Sequence, residues 1–127
     1  VMSGVTLYRI RYIRDFADIK SGDLGGYIEK EDNLSHDGDA RVLDNALVCD
    51  NAMVFGNALV FGDALVCGNA WVCGNARVSG NARVSGDARV YGNARVFGNA
   101  RVFGNAWVCG NALVFGDALV CGDARVF

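Results

Sequence analysis

The residues of this sequence that could do chemistry directly are one histidine, His36, and five cysteines. A histidine is the usual general base of an enzyme, and a cysteine acts as a nucleophile when its surroundings lower its pKa. No histidine accompanies the cysteines along the chain, and no two cysteines have the CxxC spacing that is typical of a zinc site. We therefore predict that the chain is not an enzyme, has no catalytic residues, and binds no metal ion and no cofactor.

Arginines form a second chemical feature, because they recur at every sixth residue through the middle of the chain. Guanidinium groups bind phosphates and carboxylates through paired hydrogen bonds, so this series is a candidate belt for an anion, such as a nucleotide, or for a partner. A solvated band, or pairing with acidic groups across an interface, explains the same pattern. The candidate belt consists of Arg77, Arg83, Arg89, Arg95 and Arg101, together with Trp71 and Trp107.

The elements that must position these residues follow from a six-residue repeat, which runs without interruption from Gly38 to Phe127. Its fifteen units share the pattern Gly/Asp–Asn/Asp–Ala–x–Val–x, in which alanine and valine never change. Side chains alternate between the two faces of a strand, and arginine occurs at the variable positions, so alanine and valine must face the core. Glycine, asparagine and aspartate tolerate positive φ, so the first two residues of each unit predict a corner.

Three such units make one turn of eighteen residues, so residues 38–127 predict about five stacked coils. The predicted fold class is all-β: a triangular, single-stranded β-helix (a β-solenoid) that is left-handed. Its coils stack about 4.8 Å apart, which is the spacing of neighbouring strands in a sheet. Residues eighteen apart in the sequence then form columns on the outer faces.

These columns predict contacts between successive coils. Asparagines at the corners favour amide ladders. Cys49 and Cys67 are expected one coil apart on one face, as free thiols rather than a disulfide. One column alternates aromatic and cationic residues, which favours cation–π stacking: Trp71, Arg89, Trp107 and Arg125.

Residues 1–37 depart from the repeat and predict a cap. The alternation over Val5–Arg14 predicts a strand, and Lys20–Glu29 predicts a turn followed by a second, short strand. Counting hexads backwards places Leu34 at an alanine position and His36 at a valine position of an irregular first side. A solenoid needs such a segment, because its first coil otherwise exposes the core and an unpaired strand edge.

The hexads resemble those of hexapeptide-repeat left-handed β-helices, which place a small and an aliphatic residue inside at six-residue intervals. More narrowly, the run DFADIKSGDLGGYIEKEDNLSHDGDARV, from Asp15 to Val42, resembles the start of the YdcK-like hexapeptide-repeat proteins of bacteria and phages. The resemblance implies a solenoid and, by analogy of fold alone, an acyl-CoA-dependent acyltransferase. Transferases of that class use a histidine base and inserted acceptor loops, and no insertion interrupts the fifteen hexads.

Composition limits the partners and the compartment. A formal net charge of −2 and a pI of about 5.2 produce no strong field for nucleic acid or an anionic membrane, so we predict neither partner. No apolar run approaches the roughly 18 residues of a membrane helix, and no signal-peptide pattern opens the sequence. We therefore predict a cytoplasmic protein with reduced thiols and no membrane insertion.

Most outward positions of the hexads are nevertheless apolar or aromatic, which is unusual for a soluble monomer. We therefore predict a homo-oligomer: a trimer packed along its faces, an end-to-end dimer or a filament. The predicted function is a non-catalytic structural scaffold that self-associates through its apolar outer faces or its open coil ends. The alternatives are an acyltransferase-like protein and a phage-type protein that sequesters an anion or nucleotide on the arginine belt.

Overall fold

The computed structural model describes residues 6–12, 19–35 and 38–127. Before the repeat it contains strands β1 (Tyr8–Arg11) and β2 (Leu24–Ile28) and a 3-10 turn (Glu31–Asn33). Within the described ranges, no helix is long and apolar enough to cross a membrane. Each hexad then contributes one two-residue strand: β3 Arg41–Val42, β4 Leu47–Val48, β5 Met53–Val54, β6 Leu59–Val60, β7 Leu65–Val66, β8 Trp71–Val72, β9 Arg77–Val78, β10 Arg83–Val84, β11 Arg89–Val90, β12 Arg95–Val96, β13 Arg101–Val102, β14 Trp107–Val108, β15 Leu113–Val114, β16 Leu119–Val120 and β17 Arg125–Val126.

These strands are distributed over three sheets that the chain visits in rotation, so each turn of the solenoid takes three hexads. Each strand from β3 to β14 pairs in parallel with the strand one coil further on, as Arg83 pairs with Arg101 and Val84 with Val102. The register of eighteen residues holds from β3 through to β17. The predicted all-β solenoid of about five coils is therefore confirmed.

Alanine and valine fill the interior, as the alternation of side chains along each strand requires. The valines from Val42 to Val108 have no exposed surface, and the alanines between them are equally enclosed. Backbone hydrogen bonds join each coil to the next, such as the bond from Arg77 N–H to the Ala94 carbonyl at 3.0 Å. The narrow core is thus covered on all sides by hydrogen-bonded backbone.

From Asp44 onward, the first residue of each corner adopts the left-handed conformation. From Gly56 to Gly122 it is always glycine, with φ between 63° and 71°. The neighbouring coil supplies a second reason for glycine, because a Cβ atom on Gly74 would lie 2.9 Å from the backbone nitrogen of Gly92. A side chain at this position of an inner coil therefore presses against the backbone of the next coil.

Two corners carry aspartate at the left-handed position instead of glycine: Asp44 has φ 59° and Asp50 has φ 57°. Their carboxylates accept hydrogen bonds at 3.1 Å from the N–H groups of Gly62 and Gly68 in the next coil. A left-handed conformation costs an L-residue about 1–2 kcal/mol. We infer that these inter-coil hydrogen bonds offset that cost.

The second corner residue forms the predicted amide ladder. The Asn75 side-chain amide donates to Oδ1 of Asn93, and the Asn93 amide donates to Oδ1 of Asn111, both at 3.3 Å. The amide of Asn99 donates in the same way to the carboxylate of Asp117 at 3.2 Å. Asparagine and aspartate both extend the ladder, because the Oδ1 atom of each accepts a hydrogen bond from the asparagine amide of the preceding coil.

The described residues before the repeat cover the first coil, and they contact each of the three sheets differently. Strand β2 pairs in parallel with β4 and antiparallel with β1. Leu34 forms a parallel bridge with Val54, and Ser35 N–H donates to the Val54 carbonyl at 2.9 Å. A side chain covers the third sheet: the Tyr12 hydroxyl donates to the Val42 carbonyl and accepts from the Val42 N–H, both at 3.0 Å.

The position of Leu34 differs from the sequence-based prediction. It lies opposite a valine, Val54, and is buried in the core, whereas the count backwards along the hexads placed it at an alanine position. Ile28 also lies opposite a valine, Val48, so the six-residue step from Ile28 to Leu34 is regular. The step from Leu34 to the next inward valine, Val42, is eight residues, and counting backwards across these two extra residues caused the error. His36, predicted at the valine position, lies in this step, outside the described residues.

Replacement of Gly74 by alanine tests whether stacking between coils selects glycine. The matched control is Gly116→Ala, because Gly116 has nearly the same φ, 66° against 65°, but a Cβ atom there meets nothing within 4 Å. Both variants should lose about 1–2 kcal/mol from left-handed strain. Gly74→Ala should lose about 1–3 kcal/mol more from overpacking. Urea unfolding followed by circular dichroism measures both, and equal losses would contradict the stacking explanation.

Replacement of Tyr12 by phenylalanine tests the side-chain cap. Burial raises the pKa of the Tyr12 phenol, so the hydroxyl stays protonated at neutral pH and can donate. Without it, the Val42 N–H and carbonyl lose this partner, and the free energy of unfolding should fall by about 1–3 kcal/mol. Tyr8→Phe is the control, because Tyr8 is 58% exposed in the same segment. A thermal melt in which the two variants behave alike would show that the hydroxyl does not stabilise the end.

Candidate functional site

The five arginines of the candidate belt do not share one surface, because consecutive hexads belong to different sheets. Arg77 pairs with Arg95 in one sheet, and Arg83 pairs with Arg101 in a second. Arg89 lies in the third sheet. The belt is therefore divided into two like-charged pairs and one arginine between aromatic neighbours, and each group must be considered separately.

Arg89 lies between the two tryptophans of the candidate site. Its guanidinium carbon is 4.4 Å from the ring centroid of Trp71 and 5.9 Å from that of Trp107. Arg125 lies over the ring of Trp107 at 4.5 Å, so Trp107 contacts two cations. The predicted cation–π column is confirmed. Because the guanidinium groups occupy ring faces that a ligand would need, this column serves to hold the coils together.

The pair Arg77 and Arg95 borders a groove of about 560 Å³, whose other side is formed by the corner residues Asn75 and Asn93. Like charges at directly paired positions of a sheet repel each other. An anion in the groove would contact both guanidinium groups and relieve that repulsion. The carboxylate of Asp39 lines the same groove.

The two cysteines predicted to stack between coils are joined by a carboxylate. The Sγ atoms of Cys49 and Cys67 and a carboxylate oxygen of Asp50 all lie within 4.8 Å of one another. All three residues are buried or half-buried. The hydrogen bond between the thiols raises the pKa of Cys49 and lowers the pKa of Cys67 to about 7.

Sequence reasoning placed Cys49 beside Cys67 but missed Asp50. The available signal was an acidic residue at a corner position that is glycine in most hexads, directly after one of the stacked cysteines. Glu29 was missed as well, because it belongs to the cap: its Oε1 atom accepts a hydrogen bond from the Asp50 N–H at 2.7 Å. Its position depends on how the cap docks, and no repeat extends into the cap to predict that.

The other described cysteines do not form such a group. Cys73 and Cys109 occupy one outer column but lie two coils apart, with Tyr91 between them. Burial raises the pKa of Cys73, in contrast to Cys67. All five cysteines are free thiols in the structure.

These features define the class of the protein as a β-solenoid with a uniform interior and variable outer columns. Six overlapping segments match the family model described as YdcK beta solenoid repeat, namely residues 70–86, 76–92, 82–96, 88–100, 94–110 and 106–122. The chain thus carries YdcK-type solenoid repeats, and the resemblance to the YdcK-like repeat family is confirmed. The N-terminal run from Asp15 to Val42 lies outside the matched segments. No curated protein matches the sequence.

Proposed function

We propose that this chain is a non-catalytic structural module that assembles with a second copy of itself through an apolar outer face. Met53 and Trp71 pair in neighbouring coils of one sheet, and their side chains are 39% and 36% exposed. A groove of about 280 Å³ on the same sheet is lined by Trp71 together with Phe55, Tyr91 and Trp107. This exposed apolar surface within the repeat is the observation that carries the proposal.

Light scattering coupled to size-exclusion chromatography tests the proposed dimer. At micromolar concentration the chain should elute with the mass of two copies, and Met53→Glu should elute with the mass of one, because the interface would bury an unpaired charge. The matched control is Ser79→Glu, which adds the same charge directly after β9, on another sheet. A monomeric parent chain, or a dimer that survives Met53→Glu, would refute association through this face.

A second candidate function, binding of a phosphate-bearing anion, is supported by the groove beside Arg77 and Arg95. Three guanidinium groups and four corner amides line the groove against one carboxylate, that of Asp39, and this lining suits a small oxyanion better than an apolar ligand. This function is compatible with a structural module, because the groove borders the sheet of Arg77 and Arg95, whereas Trp71 belongs to another sheet.

Calorimetric titration with inorganic pyrophosphate tests the groove. The double variant Arg77→Gln, Arg95→Gln should bind at least about 10-fold more weakly, since a hydrogen bond to a charged group contributes about 1.5–3 kcal/mol. The control is Arg83→Gln, Arg101→Gln, which removes the same charge from an equivalent pair in another sheet. Equal weakening in both would indicate general attraction of charge and would exclude the groove as a site.

A further inference from the structure

The stacking of coils brings together three donor atoms that suit a soft metal ion. Cys49 and Cys67 occupy the same hexad position in successive coils, so their thiols meet on one face. Asp50 directly follows Cys49 at a corner, where its backbone adopts the left-handed conformation with φ 57°. Its carboxylate lies beside the two thiols. The three ligand atoms lie within 4.8 Å of one another.

These distances suit a single ion. A zinc–thiolate bond is about 2.3 Å, so two sulfurs that bind one ion lie at most about 4.6 Å apart, and closer in a tetrahedral site. The three donor atoms lie within 4.8 Å of one another, close to this limit, so small side-chain rotations suffice to bring them around one ion. Cysteines eighteen residues apart lack the short spacing of a zinc finger, but one turn of the solenoid places them side by side.

The donors are also held in place before any ion binds. Cys49 is fully buried, which restricts its thiol to the neighbourhood of Cys67. The Asp50 carboxylate accepts from the Gly68 N–H at 3.1 Å through Oδ2, and its backbone N–H donates to Glu29 at 2.7 Å. Such second contacts orient metal ligands and strengthen binding. The site therefore joins the cap to two successive coils.

We propose that Cys49, Cys67 and Asp50 bind one thiophilic divalent ion of the Zn²⁺ and Cd²⁺ class, with solvent completing the coordination. Two sulfurs with one carboxylate suit such an ion better than Mg²⁺ or Ca²⁺, which prefer oxygen ligands alone. On binding, both thiols release their protons to solvent, and the resulting charge of −3 on the three ligands exceeds the +2 of the ion by one. Arg83 lies near enough to Cys67 to act on it electrostatically and offsets this remaining charge. The site replaces the expectation of no metal, which rested on spacing along the chain.

The test is titration of the reduced chain with Cd²⁺, followed by the ultraviolet charge-transfer absorption of the cadmium–thiolate bond. One ion per chain should bind, and added Zn²⁺ should displace it. Cys67→Ser and Cys49→Ser should each weaken binding by about 100-fold, and Asp50→Asn by about 10-fold. Asparagine keeps an oxygen for the Gly68 N–H, so this variant removes the charge while leaving the corner intact. Circular dichroism checks that each variant is folded, and the half-buried Cys67 provides the test if Cys49→Ser does not fold.

The control variants are Cys73→Ser and Cys109→Ser. These cysteines hold the same hexad position on another face, but Tyr91 separates them by a coil. Their replacement should leave Cd²⁺ affinity unchanged within about 2-fold, the size of effect expected away from a ligand set. Absence of the charge-transfer band, or equal weakening by Cys73→Ser and Cys67→Ser, would overturn the site. The readout does not depend on oligomeric state, so failure here is distinct from failure of the proposed dimer.

Discussion

The close stacking of each coil's backbone on the next is the constraint on which the rest of the structure depends. Hydrogen bonds between coils continue through the corners as well as the strands, as from Asn75 N–H to the Gly92 carbonyl at 2.8 Å. A coil can form these hydrogen bonds with its neighbour only if its backbone follows the same path. Alanine, valine and the corner residues therefore repeat almost unchanged. Strands of two residues are stable here because the ladder runs through about five coils rather than ending at one pair.

The same hydrogen bonding determines how the first coil is covered. Strand β2, Leu34 and the Tyr12 hydroxyl each satisfy backbone groups of one sheet. Three contacts of different kinds therefore do at this end what a preceding coil does elsewhere in the repeat.

Because the interior must be uniform, the chain can vary only on its outer columns, and the chemistry of the protein is found there. A solenoid converts a separation of eighteen residues into direct contact. Contacts of three kinds arise this way: repulsion between Arg77 and Arg95, stacking of Arg89 on Trp71, and a hydrogen bond between the thiols of Cys49 and Cys67. Each involves neighbouring coils, so the smallest functional unit of this fold is two coils rather than one hexad.

The sequence by itself determined the period, the inward face, the corners and the columns, because each depends on a local rule that acts in every hexad. It also indicated the cap strands, from alternation and turn residues near Tyr8 and Leu24. Only the tertiary structure decided how the cap meets the first coil: the bond of Tyr12 to Val42 and the burial of Leu34 opposite Val54. It likewise placed the Asp50 carboxylate beside the two thiols. Each of these contacts occurs once, either where the cap meets the first coil or at a corner that has aspartate in place of glycine. No periodic pattern could therefore reveal them.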